Sequence, residues 1–77
     1  MSFLEAVKNS LSRKIAGELV FADSPGAAMR HWRESFGVSQ AGLATRLGTS
    51  PSVVSDYELG RRAPGSKLIR RFVEALI

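Results

Sequence analysis

Residues Ser39-Gln40-Ala41-Gly42-Leu43-Ala44-Thr45-Arg46-Leu47-Gly48-Thr49-Ser50-Pro51-Ser52-Val53-Val54-Ser55-Asp56-Tyr57-Glu58-Leu59-Gly60 decide the architecture, because they hold two complete sets of helix start and stop signals. Ser39 is placed as an N-cap, its hydroxyl able to accept one of the N–H groups that a first helical turn leaves unpaired. Leu43, Ala44 and Leu47 fall on one side of a helix over Gln40–Leu47, and Gly48 can adopt the positive φ that ends it. The signals then repeat. Ser50 is the next cap, Pro51 suits a first helical position where its missing N–H loses no partner, and Gly60 stops a helix that runs to Leu59. Two short helices joined by a glycine-containing turn of about three residues follow from this reading. Ala44 is small where the second helix crosses closely, and Val54 is apolar where both meet a core.

Outward from this pair the helical pattern continues on both sides. Upstream, Asp23-Ser24-Pro25-Gly26 combines a cap with proline, and Met29, Trp32 and Phe36 recur at helical spacing before Gly37 ends the segment. Further upstream, Phe3, Leu4, Val7, Leu11, Ile15 and Leu19 form one apolar stripe over residues 3–21, with Ser2 and Glu5 arranged as a capping box and Gly17 as a mild internal weakness. Downstream of Arg61-Arg62-Ala63-Pro64-Gly65, Ser66 is the expected cap of a last helix carrying Leu68, Ile69, Phe72, Val73, Leu76 and Ile77. No strand pattern, repeat or low-complexity linker interrupts the series. The expected fold is all-α, about five helices, with residues 1–24 an N-terminal amphipathic helix and connection and residues 25–77 the main domain. The apolar ending Ala75-Leu76-Ile77 fits a fragment of a longer protein.

Composition narrows the functions available. A chain of 77 residues builds one modest core and lacks the material for a large substrate pocket. With no cysteine and one histidine there is no disulfide framework and no zinc-ligand cluster, so no metal or other cofactor is expected. No apolar run approaches the roughly 20 residues that span a bilayer, and residues 1–15 lack a signal-peptide core, so a cytoplasmic protein without membrane contact is expected. The net charge of +4 is unevenly placed: Arg61, Arg62, Lys67, Arg70 and Arg71 lie in one stretch without an acid. Such a stretch is either a solvated helix face or a phosphate-binding surface.

The two central helices have the spacing of a helix-turn-helix, and the residues around them resemble a known family. Val38-Ser39-Gln40, Leu43-Ala44, Leu47-Gly48-Thr49-Ser50, Val54-Ser55-Asp56-Tyr57-Glu58 and Gly60-Arg61-Arg62-Ala63-Pro64 are similar to phage-repressor or Xre-type (lambda-repressor-like) DNA-binding domains, over about residues 27–76. The resemblance implies a five-helix domain that inserts its reading helix, 51–59, into the major groove of double-stranded DNA, usually as a homodimer on a pseudo-palindrome. It carries base-reading positions onto Pro51, Ser52, Ser55 and Asp56. The residues themselves agree, since at 100° per residue Ser52, Ser55, Asp56 and Leu59 lie opposite Val53, Val54, Tyr57 and Glu58. The reading set is thin: it has no Arg, Asn or Gln for bidentate base contacts, and Asp56 can only accept, from cytosine N4 or adenine N6.

Phosphate contacts are expected from Gln40 and Ser50 at helix starts, from Arg61 and Arg62 after the reading helix, and from Lys67; Arg70 and Arg71 read as solvated charges. The resemblance also implies that Arg33 and Glu58 pair beneath the reading helix and orient it. Trp32, Phe36, Tyr57 and Phe72 are at core spacing, and His31 reads as an exposed bystander. Gly42 departs from the family, where a polar helix former is common. Two functional classes remain: a sequence-specific transcriptional regulator, or a protein-interaction adaptor of the same fold, bridging-factor-like or antitoxin-like, with weak or nonspecific DNA binding. An enzyme is not expected, because no nucleophile–base pair, phosphate-cradling loop or metal cluster is present. The stripe on the N-terminal helix must be buried somewhere, either on its own domain or on a protein partner.

Overall fold

The caps and glycines place the helices. A computed structural model describes residues 2–77, leaving Met1 outside, and holds α1 (Phe3–Phe21), α2 (Pro25–Ser35), α3 (Gln40–Leu47), α4 (Pro51–Glu58) and α5 (Ser66–Leu76), with no strand among the described residues. The Ser2, Ser39 and Ser50 hydroxyls accept the backbone N–H groups of Glu5 at 3.2 Å, Gly42 at 2.9 Å and Val53 at 3.3 Å. At the other ends, Gly48 and Gly60 take φ of 69° and 79°. This lets Thr49 N–H reach back to Ala44 O and Arg61 N–H to Asp56 O, so that orphan carbonyls of α3 and α4 find donors.

Two boundaries differ from the sequence expectation. Helix α4 ends at Glu58, with Leu59 already the C-cap, because the turn that recovers Asp56 O starts there. Helix α5 takes Ser66 as its first residue, capped by Gly65 without a side-chain hydrogen bond, so Ser66 is not the cap.

One core gathers all five helices: Ile15 and Leu19 of α1, Met29 of α2, Leu43, Ala44 and Leu47 of α3, Val54 of α4, and Ile69, Phe72, Val73 and Leu76 of α5. Helix α1 packs on α2 and α5, α3 on α4 and α5, and α2 on α4. Trp32, Phe36 and Tyr57 pack, partly buried, against this core. The α1 stripe divides in two. Ile15 and Leu19 are fully buried, whereas Phe3 is 86% exposed, Leu4 61%, and Val7 is also exposed. Length accounts for the split: at 1.5 Å per residue α1 is about 28 Å long and its neighbour α5 about 16 Å, so the first turns of α1 overhang the body.

Helices α3 and α5 cap each other. Arg46, in the last turn of α3, donates from Nη1 to Ala75 O at the end of α5 at 2.8 Å, and Arg71 of α5 donates from Nη2 to Leu47 O at the end of α3. Arg71 is therefore not simply a solvated charge, and the positive guanidinium groups sit where each helix presents unpaired carbonyls.

Candidate nucleic-acid interface

Helix α4 is oriented from beneath by a buried charge. The Arg33 guanidinium donates from Nε to Glu58 Oε2 at 2.6 Å and from Nη2 to Glu58 Oε1 at 3.1 Å, a bidentate pair, while Nη1 donates to Val38 O at 2.8 Å. The side chains are 10% and 3% exposed. Hydrogen bonding to Glu58 raises the arginine's pKa above its ordinary value against the opposing effect of burial, so the guanidinium stays charged. Gln40 Nε2 donates to the same Glu58 Oε1 at 3.1 Å. One carboxylate thereby ties the end of α4 to α2 and to the start of α3.

A second constraint comes from α2. A Cβ placed on Gly26 would lie 2.0 Å from Tyr57 O and 2.9 Å from Glu58 O, so the first turn of α2 rests directly on the last carbonyls of α4. Only glycine allows that approach. The contact also sets the positive end of one helix against the negative end of the other.

With Val54 and Glu58 held inward, the opposite face of α4 is set. Pro51 and Ser52 are exposed, Ser55 and Asp56 half-buried, and Leu59 exposed. Beyond the Gly60 turn, Arg61 and Arg62 are exposed, and both turn toward Asp56: Arg61 Nη1 lies 3.5 Å from Oδ1 and Arg62 Nε 3.7 Å from Oδ2. Exposed Lys67 sits in the first turn of α5. None of α2 to α5 carries an acid in its first turn, whereas α1 has Glu5. A cation at a helix start opposes the macrodipole, so Lys67 adds to an uncompensated positive end.

The structure brings Ser52, Ser55, Asp56, Arg61 and Arg62 to α4 and its following turn. Ser50 uses its oxygen to cap α4, and its O–H is still able to donate. Gln40 is turned inward, its amide nitrogen on Glu58, so an outward contact from this helix start falls to backbone N–H groups. Two associations escaped sequence reasoning. Gln40 to Glu58 spans 18 residues and has no local signal. Asp56 with Arg61 and Arg62 did have one, since the glycine turn folds positions five and six residues on back over the end of α4.

Among the described residues no group of three or more His, Asp or Glu could hold a metal, and no helix is long and apolar enough to cross a membrane. An open groove of about 510 Å³ runs along α1 beside Ala6, Val7, Ser10, Leu11 and Lys14, away from α4.

Comparison with known proteins places this geometry. Residues 26–76, from the first turn of α2 to the end of α5, match a family described as a helix-turn-helix domain. An uncharacterised HTH-type transcriptional regulator of Archaeoglobus fulgidus is 50% identical over 68 residues, 88% of this chain and 30% of its own length. A similarly described regulator of Methanocaldococcus jannaschii is 48% identical over 64 residues, 82% of this chain and 27% of its own. Multiprotein-bridging factor 1 of Eremothecium gossypii is 38% identical over 53 residues, 69% of this chain and 35% of its own. The chain thus spans about a third or less of the length of these relatives. Both archaeal matches are longer than residues 26–77 and so take in part of α1. No solved structure matches.

Proposed function

The chain belongs to the helix-turn-helix domain family, and on that premise we propose that it is a sequence-specific, double-stranded DNA-binding transcriptional regulator of the phage-repressor or Xre type. Its α4 enters the major groove, and it acts as a homodimer on a pseudo-palindromic site. The helix-turn-helix unit is residues 25–77, with α1 added in front. The role is one of binding, without catalysis or cofactor.

The observation that carries this reading is the outer face of α4. Buried Glu58 and Val54 fix the helix's rotation, leaving small polar side chains outward, with arginines immediately after them and positive helix starts around them. Pro51, Ser52, Ser55 and Asp56 meet base edges, and Ser50, Arg61, Arg62, Lys67 and the start of α3 at Gln40 meet phosphates. With no bidentate donor in the set, groove shape contributes a large part of the discrimination.

A second reading has its own support. The likeness to multiprotein-bridging factor 1 and the short reading side chains favour a protein-interaction adaptor with weak or nonspecific DNA binding, the overhanging half of α1 meeting a protein partner. Selection of duplexes from a random pool at near-physiological salt separates the two. The regulator enriches a palindrome with half-sites about one helical turn apart. Enrichment of nothing, with binding that vanishes as salt rises, leaves phosphate attraction alone and favours the adaptor.

A further inference from the structure

Asp56 lies where a base-reading side chain belongs, yet its carboxylate faces this protein's own cations. Arg61 Nη1 is 3.5 Å from Oδ1 and Arg62 Nε is 3.7 Å from Oδ2. The backbone repeats the association, since Asp56 O accepts from Arg61 N–H at 2.8 Å and Arg62 N–H at 3.4 Å, so both arginines start from a turn anchored on the residue they face. The arginine side chains are 71% and 53% exposed and that of Asp56 30%. These are long, solvated contacts of the kind that salt screens and that a phosphate can displace.

We propose that Asp56 is a specificity-determining brake: it partly neutralises Arg61 and Arg62 in the free protein and weakens binding to every duplex that gives its carboxylate nothing in return. The inference rests on the DNA-reading role of α4. On approach to DNA the two guanidinium groups exchange Asp56 for phosphate oxygens, and the carboxylate is left facing the groove. A cytosine N4 or adenine N6 amino group there donates to it. Guanine O6 and N7 or thymine O4 offer only acceptors, and the negative charge opposes them. Discrimination then comes mainly from penalising wrong sites, which suits a reading face without bidentate donors.

The test is Asp56→Asn. The amide keeps the size of the side chain but removes the charge, and circular dichroism with a thermal melt verifies that the fold is retained. Binding of the full chain to a random-sequence duplex is measured against salt. Both arginines meet phosphates with or without Asp56, so the salt slope changes little, while nonspecific binding tightens roughly twofold to tenfold, because no exposed ion pair has to be broken first. Elution from heparin, which has no bases, moves to higher salt in parallel. In an Arg61→Gln, Arg62→Gln background the same substitution leaves heparin elution unchanged, because the charges that it frees are gone, and on the duplex only the smaller gain from taking the carboxylate out of the groove remains.

Unchanged or weaker binding by Asp56→Asn overturns the brake, and weaker binding makes Asp56 a residue that positions the arginines. A heparin shift that persists undiminished without the arginines also overturns it, by showing that Asp56 does not act through them. If the unaltered chain binds no duplex even at low salt, the DNA-reading role itself falls, and the heparin comparison still decides whether Asp56 restrains the arginines.

Discussion

Arg33 is buried and yet charged, and the cost of removing it from water is met by three hydrogen bonds, two of them to Glu58. Arg33→Met alone leaves the Glu58 carboxylate buried with only Gln40 as donor, and costs about 3–5 kcal/mol in urea denaturation. Arg33→Met with Glu58→Leu is expected to lose much less than either single change, because no unpaired charge remains. The pH dependence has a definite sign. A cation whose pKa is raised on folding contributes stability in full below its unfolded value, and loses it only as pH rises through the folded one. The melting-temperature difference between the chain and Arg33→Met therefore stays constant from neutral pH to about pH 11. That these two residues pair was implied by family resemblance; no local pattern links positions 25 residues apart.

Among elements, the contact of α2 with α4 is the least tolerant. Gly26→Ala gains helix propensity, but its methyl would strike Tyr57 O at the end of α4. A net loss of about 1–3 kcal/mol is expected, with α4 displaced and, under the regulator reading, DNA binding weakened further. Gly17 in α1 is the matched control: a Cβ there meets nothing within 4 Å, and Gly17→Ala stabilises by about 0.5–1 kcal/mol. Thermal melts of the two variants check the contrast. In the sequence Gly17 reads as a mild weakness inside a helix and Gly26 as part of a helix start, and neither reading tells which of them tolerates a methyl group. What separates them is the neighbouring backbone, which belongs to a segment over thirty residues away at Gly26 and is absent at Gly17. The mutual capping of α3 and α5 by Arg46 and Arg71 was equally hidden, since nothing near either arginine points to the other helix's last carbonyls.

At the scale of the whole molecule, charge and burial are segregated along the chain. Under the regulator reading, Arg61→Ala with Arg62→Ala weakens binding to all duplexes and lowers the salt slope by about 1.8, or two phosphate contacts, in titrations at several salt concentrations. Equal slopes before and after would remove the arginines from the phosphate surface. The two halves of α1 respond differently. Ile15→Ala costs about 2–5 kcal/mol, because this side chain is fully inside the common core. Phe3→Ser, on the overhang, leaves stability within about 0.5 kcal/mol. By itself the sequence determined the number, order and most of the ends of the helices and the outward face of α4, because caps, glycine turns and helical periodicity are contacts between residues a few positions apart. Only the tertiary structure decided that half of α1 joins the core and half overhangs it, that Gln40 turns in toward Glu58, that Gly26 must be glycine, and that Asp56 faces two arginines. Each of these depends on the lengths and crossings of helices packed together, where distances are fixed by the whole chain rather than by its neighbours in sequence.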